Sequence, residues 1–260
     1  MNTPLPVSLL SARRLGDAAG GLLVLLVIVG AWAWATAAGW VSPIFLPSPG
    51  ATWDALLQGL AEGELASASL ATVERMLYGW LLASALGLVL GTLIGVSPAL
   101  RAWTQPTLEF VRPLPASAVM PVAIALLGLS PGMVLAVIAF GAIWPVLLST
   151  VHGFASVDPR LHEVARVLGL SRSAFIAKIA LPHTLPDVLT GMRLSLTISL
   201  VLAIVGEMLA SQTGLGSAIL MAARSFRAPE LYAGVVLLGA IGLLSNSLLA
   251  LAERLARTHH

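Results

Sequence analysis

The sequence predicts an all-α membrane protein, a polytopic bundle of about six transmembrane helices, on three observations. Of 260 residues, 58% are hydrophobic and only 10% charged, with a mean hydropathy of +0.94. A soluble domain uses about 25% charged residues, so this chain could not cover its own surface in water. The apolar runs are long and uninterrupted, on the scale of roughly 20 residues that a helix needs to cross a bilayer. Charge is gathered between the runs, above all in "EVARVLGLSRSAFIAKIALP" at residues 163–182. A net charge of +2 gives no support to nucleic-acid binding, and the absence of cysteine removes disulfides, thiolate catalysis and Cys-ligated metal sites together.

The first span is expected from about Ala18 to Ala38, after Arg13-Arg14. Ala35-Thr36-Ala37 resembles a signal-peptide cleavage site, but the apolar run is longer than a signal core. Trp32, Trp34 and Trp40 read as an interfacial belt, so the segment is taken as an uncleaved anchor. In "SPGATWDALLQGLAEGEL", Ser48 caps a helix with Pro49 at its first position. Trp53, Leu56, Leu57 and Leu60 fall on one stripe of that helix, which is too short to span and is expected on the membrane surface. The second span runs from about Ser67 to Val96. The third covers about Pro106 to Gly128, and Pro106, Pro113, Pro115 and Pro121 predict a bent or broken helix. The fourth runs from about Gly132 to His152, the fifth from about Asp187 to Ala210 and the sixth from about Leu231 to Glu253. Gly87, Gly91 and Gly95 recur every four residues in the second span and predict close helix packing rather than a nucleotide loop. "TGLGSA" at 213–218 reads equally as a turn.

With Arg13 and Arg14 inside, six spans return the C-terminus to the same side. Inside loops then hold Arg13, Arg14, Arg101, Arg160, Arg166, Arg172, Lys178, Arg254 and Arg257, against Arg224 and Arg227 outside, a strong positive-inside bias. Residues 1–17 are thus expected as a cytoplasmic N-terminal segment. Residues 18–260 are expected as a single transmembrane domain with a long cytoplasmic loop at about 153–186.

That loop reads as structured. Asp158 can cap a helix that begins at Pro159, and Gly169 can end it in a left-handed conformation. Leu161, Val164, Ala165 and Leu168 make an apolar stripe, with Arg160, Glu163 and Arg166 on the other side. Ser171 or Ser173 then caps a second helix carrying Phe175, Ile176 and Ile179, which Pro182 is expected to stop. On periodicity alone, a hairpin lying with its apolar faces on lipid fits equally well.

The frame of Glu163, Ala165, Gly169, Ile179, Leu181 and Pro182 resembles the EAA loop of inner-membrane permeases of binding-protein-dependent ABC importers. That pattern is Glu-Ala-Ala, Gly six residues after the Glu, then Ile-x-Leu-Pro, and Val164 in place of Ala is its one departure here. "SPIFLPSP", "RPLPASAVMPVAIALLGL", "LPDVLTGMRLSL" and "GEMLASQTGLG" extend the resemblance from about Val41 onward, to the nitrate/sulfonate/taurine/bicarbonate branch. "ALLGL" stands where many relatives have Trp-Phe-Gly, which leaves the solute open. The resemblance implies a type I ABC importer permease, working as a homodimer with two copies of a cytoplasmic ATPase and an extracytoplasmic binding protein. It implies that the helix after Asp158 is a coupling helix, contacting the ATPase through Arg160, Leu161, Glu163, Val164, Ala165, Arg166, Leu168, Gly169, Leu170 and Ser171. ATP and Mg would then belong to the partner, with no cofactor and no metal held by this chain.

Other activities fit the residues less well. The single lysine, Lys178, follows no P-loop pattern. His152, His162 and His183 lie at or outside helix ends, away from any serine-protease arrangement, and no H-E-x-x-H or carboxylate cluster suggests a catalytic metal. The alternative of a different class is a secondary transporter or channel driven by an ion gradient, which usually carries repeated halves and several buried ionisable groups. Arg75, Arg112, Glu207 and Gln212 are the candidates for a translocation path or gate. Arg75, Arg112 and Arg193 are the cations at membrane depth, and Glu207 is expected to pair with Arg75 or Arg112.

Overall fold

The computed structural model describes residues 7–257, with side chains over 20–253 apart from that of His162. The described residues form helices only: α1 (Val7–Ala37), α2 (Pro49–Ala61), α3 (Glu64–Gly95), α4 (Pro98–Val111), α5 (Ala116–Leu127), α6 (Pro131–Ala155), α7 (Pro159–Val167), α8 (Arg172–Phe175), α9 (Leu181–Ala210), α10 (Leu215–Arg224) and α11 (Ala228–Arg257). Among them, five stretches are long and apolar enough to cross a membrane. A sixth is counted if α4 and α5, bent by 91° at Arg112–Pro115, form one broken span. The break follows from the sequence: Pro113 and Pro115 remove two backbone donors within three residues, so the helix ends at Arg112, which itself still holds helical angles (φ −52°, ψ −46°).

Three helices make the core. α3 packs along α6, and α6 along α9, with Met76, Met133, Ile138, Leu196 and Ala203 buried between them. The seam between α3 and α6 is a run of glycines. A Cβ at Gly87 would meet the Val146 side chain and the Ile143 carbonyl, one at Gly91 the Thr150 side chain and the Leu147 carbonyl, and one at Gly95 the Phe154 side chain. Gly191 of α9 lies equally close to the Pro145 carbonyl of α6. Hydrogen bonds cross the same seams, from Ser195 Oγ to the Ala142 carbonyl at 2.7 Å and from Trp80 Nε1 to the Met192 carbonyl at 2.9 Å. Small residues and interhelical hydrogen bonds are what hold helices together where lipid is the alternative solvent.

The outer helices depart from expectation in detail. The described side chains of the apolar part of α1 lie away from the core, and α1 is tethered at its far end. There Trp32 donates to the Pro47 carbonyl at 2.9 Å and stacks on Tyr232, so Trp32 is a tether, while Trp34 and Trp40 pack edge to face. Ser48 caps α2 as expected, but the stripe Trp53, Leu56, Leu57 and Leu60 does not share one environment. Thr52 and Leu56 turn into the protein, and the other three are exposed.

Pro182 does not stop a helix. From Arg172 to Ala210 the chain is one helical run of 39 residues, widened at Ile176–Ala180 into a π-turn in which the Leu181 N–H reaches back to the Ile176 carbonyl. A proline in the first turn after such a widening removes no bond the helix needs, and the wider turn makes room for its ring. The fifth span therefore begins well before Asp187. The linking loop shrinks to residues 156–158 and 168–171 around α7. Nor is 213–218 a simple turn, because its last four residues open α10.

The close approach at Gly91 is tested by size. Gly91→Leu must displace backbone as well as Thr150 and is expected to cost about 1–3 kcal/mol. Gly21→Leu, where a side chain meets nothing within 4 Å, should leave stability unchanged. Melting of the detergent-solubilised variants distinguishes them, and equal melting temperatures would contradict the seam.

Candidate functional site

Two regions at opposite ends of the bundle collect the residues singled out by sequence. The first is α7 with its flanking turns. Asp158 caps it, accepting from the Arg160 N–H at 2.8 Å. At the other end the Gly169 N–H bonds the Arg166 carbonyl and the Leu170 N–H bonds the Ala165 carbonyl, with Gly169 at φ +64°. This is a Schellman closure, which needs a residue free of Cβ strain at the left-handed position. Ser171, not Ser173, caps the next helix, accepting from the Ala174 N–H. Arg172 donates to the Val96 carbonyl at 3.1 Å, tying the loop to the end of α3.

The expected apolar stripe is divided between two duties. Leu161 packs inward against a small satellite core of Phe154, Val157 and Ala180, which Phe175 and Ile176 also join, and Ala165 is buried. Val164 and Leu168 face outward, 48% and 67% exposed. Val167, which the stripe omits, is the most open of all at 87%. Arg160, Glu163, Arg166, Gly169 and Ser171 are exposed around them and Leu170 is half-buried; of the frame beyond, Leu181 and Pro182 are exposed and Ile179 is half-buried. An apolar cluster ringed by charge, on a helix fixed at both ends and seated on its own core, has the form of a contact surface. Val167 shares the outward side with Val164 and Leu168 but falls off the i, i+3, i+4, i+7 stripe counted from Leu161, so the stripe passed it over.

The second region surrounds Glu207, whose carboxylate is fully buried. Arg75 of α3 donates to its Oε1 and also to the Thr213 carbonyl at 3.2 Å. Its Oε2 accepts from Thr72 Oγ1 at 3.0 Å and from the Gly216 N–H at 2.8 Å. Thr72 Oγ1 in turn accepts from the Leu215 N–H at 2.9 Å. The first turn of α10 thus delivers free N–H groups to a carboxylate on α9 and a hydroxyl on α3, the favourable pairing of a helix N-terminus with negative charge. Gly214 and Gly216 are required here, since a Cβ on either would fall on the carboxylate or on the Ile204 carbonyl. Every acceptor of Glu207 is engaged from within the protein. The group clamps α3, α9 and α10 and is closed to a solute. Thr72, one turn before Arg75, joined the cluster without a sequence signal, whereas Gly216 lies in the "TGLGSA" segment that reads locally only as a turn.

The other polar candidates lie apart. Arg193 pairs with Glu253 of α11 at 2.5 Å. Gln212 is half-buried beside the left-handed Ser211 and donates to the Ala210 carbonyl at 3.3 Å. Arg112 sits at the α4–α5 break, forms no ion pair among the described residues and lines a groove on α6 and α9. No group of three or more potential metal ligands occurs among the described residues.

Breaking the buried pair from one side strands the other charge. Glu207→Gln and Arg75→Gln are each expected to cost about 3–5 kcal/mol, with the double variant losing much less than their sum, whereas Arg112→Gln should add independently to Glu207→Gln. Unfolding free energies in mixed micelles give both cycles, and additivity in the first would remove the clamp.

The family described as "Binding-protein-dependent transport system inner membrane component" matches residues 83–257. The chain is 34% identical to a putative aliphatic sulfonates transport permease of Bacillus subtilis, over 90% of this chain and 85% of that one. It is 31% identical to a nitrate import permease of Leptolyngbya laminosa, over 76% and 72%. With a bicarbonate transport system permease of Synechococcus elongatus it shares 29% identity, over 72% and 67%. The match spans the core helices α6 and α9, the α7 surface and the Glu207 carboxylate together, and this chain belongs to the family of binding-protein-dependent ABC transport permeases, in its nitrate, sulfonate and bicarbonate branch.

Proposed function

We propose that this chain is the membrane-spanning subunit of an ATP-driven importer, working as a homodimer with two copies of a cytoplasmic ABC ATPase and with an extracytoplasmic binding protein that delivers a small anion. The observation that carries the reading is the outer face of α7. Val164, Val167 and Leu168 stand exposed among Arg160, Glu163 and Arg166, on a helix locked by Asp158, Gly169 and Ser171. Such a face rests in the cleft of a soluble partner, and its fixed ends let a displacement of that partner reach α6 and α9 without being absorbed by the loop. ATP and Mg are bound by the partner, and this chain is not itself an enzyme. Sulfonate, nitrate and bicarbonate, the solutes named for similar permeases, are all small oxyanions, and an oxyanion is the solute class assigned here. The positive-inside bias puts α7 and both termini in the cytoplasm.

Leu168→Asp and Val167→Asp should abolish co-purification of the ATPase while leaving membrane insertion intact. Gly169→Val, which forces a β-branched residue into φ +64°, should weaken it by about tenfold or more. ATP-dependent uptake of radiolabelled sulfonate into proteoliposomes is then expected only with ATPase and binding protein both present. Uptake driven by an ion gradient in their absence would sink the reading in favour of a secondary transporter.

Orientation has its own measurement, made clean by the cysteine-free background. A cysteine at Glu62 should react with an impermeant thiol reagent from outside intact cells, and one at Arg160 only after the inner face is opened. The reverse pattern would invert the topology.

A further inference from the structure

The geometry points to a subsite for an amphiphilic organic anion in the groove between the α4–α5 break, α6 and α9, with Arg112 as its charge-recognising residue. The inference rests on the import reading above and narrows its solute class. The groove has a volume of about 590 Å³. Its polar side chains are the Arg112 guanidinium, the hydroxyls of Ser117, Ser149 and Thr197, and Trp144; the Thr197 hydroxyl donates to the Arg193 carbonyl at 3.5 Å, and the Trp144 indole N–H is buried without a hydrogen-bond partner among the described residues. No carboxylate lines it. Glu109, one turn before Arg112, lies in the adjoining groove and is held by Gln105 at 2.8 Å.

The charge balance of the bundle singles out Arg112. From the sequence, Arg75, Arg112 and Arg193 are the arginines expected at membrane depth. Arg75 is matched by Glu207 and Arg193 by Glu253, while Arg112 forms no ion pair among the described residues. An unmatched cation at such depth is expensive and marks a site where a counter-charge comes and goes. A planar fork beside hydroxyl donors suits a sulfonate or carboxylate head. The rest of the wall is hydrocarbon, from Leu114, Leu148, Leu194, Ile198, Val201 and Leu202. A fully hydrated inorganic ion gains nothing from such a wall, and a short alkyl tail does. Arg112, Ser117, Thr197 and Val201 are exposed on the single chain, so the groove is open along one side, and a second copy of the chain would close it.

The test reads charge and chain length at one cysteine. In Ser117→Cys, an anionic methanethiosulfonate reagent should react faster than a cationic one of equal size, and Arg112→Gln should lower that rate ratio by about tenfold. Arg112→Lys should keep the ratio but weaken protection by alkanesulfonates. Protection should strengthen from methane- to butanesulfonate by roughly threefold per methylene, with nitrate and butylammonium protecting little. Val201→Cys provides the same readout should Ser117→Cys not insert. An unchanged ratio in Arg112→Gln, protection independent of chain length, or nitrate protecting as well as butanesulfonate would each overturn the subsite. Labelling needs neither ATPase nor binding protein, so the two readings fail separately. Intact protection without ATP-driven uptake removes the import reading alone, and ATP-driven uptake with labelling indifferent to Arg112 removes the subsite alone.

Discussion

The close approach of α3, α6 and α9 is the constraint on which the rest of the molecule depends. Lipid tails are as apolar as leucine, so helices in a bilayer gain little from hiding hydrophobic surface and must hold one another by contact and hydrogen bonds. Glycines at 79, 87, 91 and 95 on α3 bring its backbone onto α6 from one end to the other. With three helices so joined, the pairs and caps at either end have a fixed frame to be measured against.

α9 joins those two ends in one element. The helical run from Arg172 to Ala210 has 39 residues, about 58 Å at the rise of an α-helix, well beyond a hydrocarbon core of about 30 Å. Its first turns share the satellite core beneath α7 through Phe175 and Ile176, and its last turns carry Glu207. The π-turn at Ile176–Ala180 is the irregularity along it, and it lies directly beside the α7 surface. The α7 surface and the clamp on α10 are therefore joined by one helical run whose irregular turn lies near its start.

Much of this was legible in the sequence, and the reasons differ from element to element. Asp158, Gly169 and Ser171 act through their own backbone neighbourhoods, so local chemistry located them. The glycine spacing of α3 reported its packing face because a four-residue period is itself a statement about which side is small. The ends of the second, fourth and sixth spans followed approximately from hydropathy, whereas the fifth begins at Arg172 instead of near Asp187. What failed was local reasoning about long-range outcomes. Pro182 looks like a stop when only its missing N–H is considered, and the π-turn that accommodates it is visible only in the folded helix. The partition of Leu161 and Ala165 inward from Val164 and Leu168 outward depends on where Phe154 and Val157 lie, which the stripe does not contain. Thr72 and Gly216 reached Glu207 from sequence positions 135 residues before it and 9 after it.

The polar groups at membrane depth sort by enclosure rather than by residue type. Glu207 is held by an arginine, a threonine and a helix N-terminus, and no face of it remains for a passing solute. Arg193 engages Oε2 of Glu253 between α9 and α11, while Oε1 of that carboxylate is buried without a hydrogen-bond partner among the described residues. Arg75 and Arg193 are each committed to a carboxylate by the same contacts that hold the helices. Arg112 stands instead at the proline-broken corner where a span gives up its regular backbone, and irregular backbone at that depth persists where it lines a cavity or is covered by protein. The prolines that break the helix and the arginine beside them, without an ion pair among the described residues, thus meet at one groove on α6 and α9.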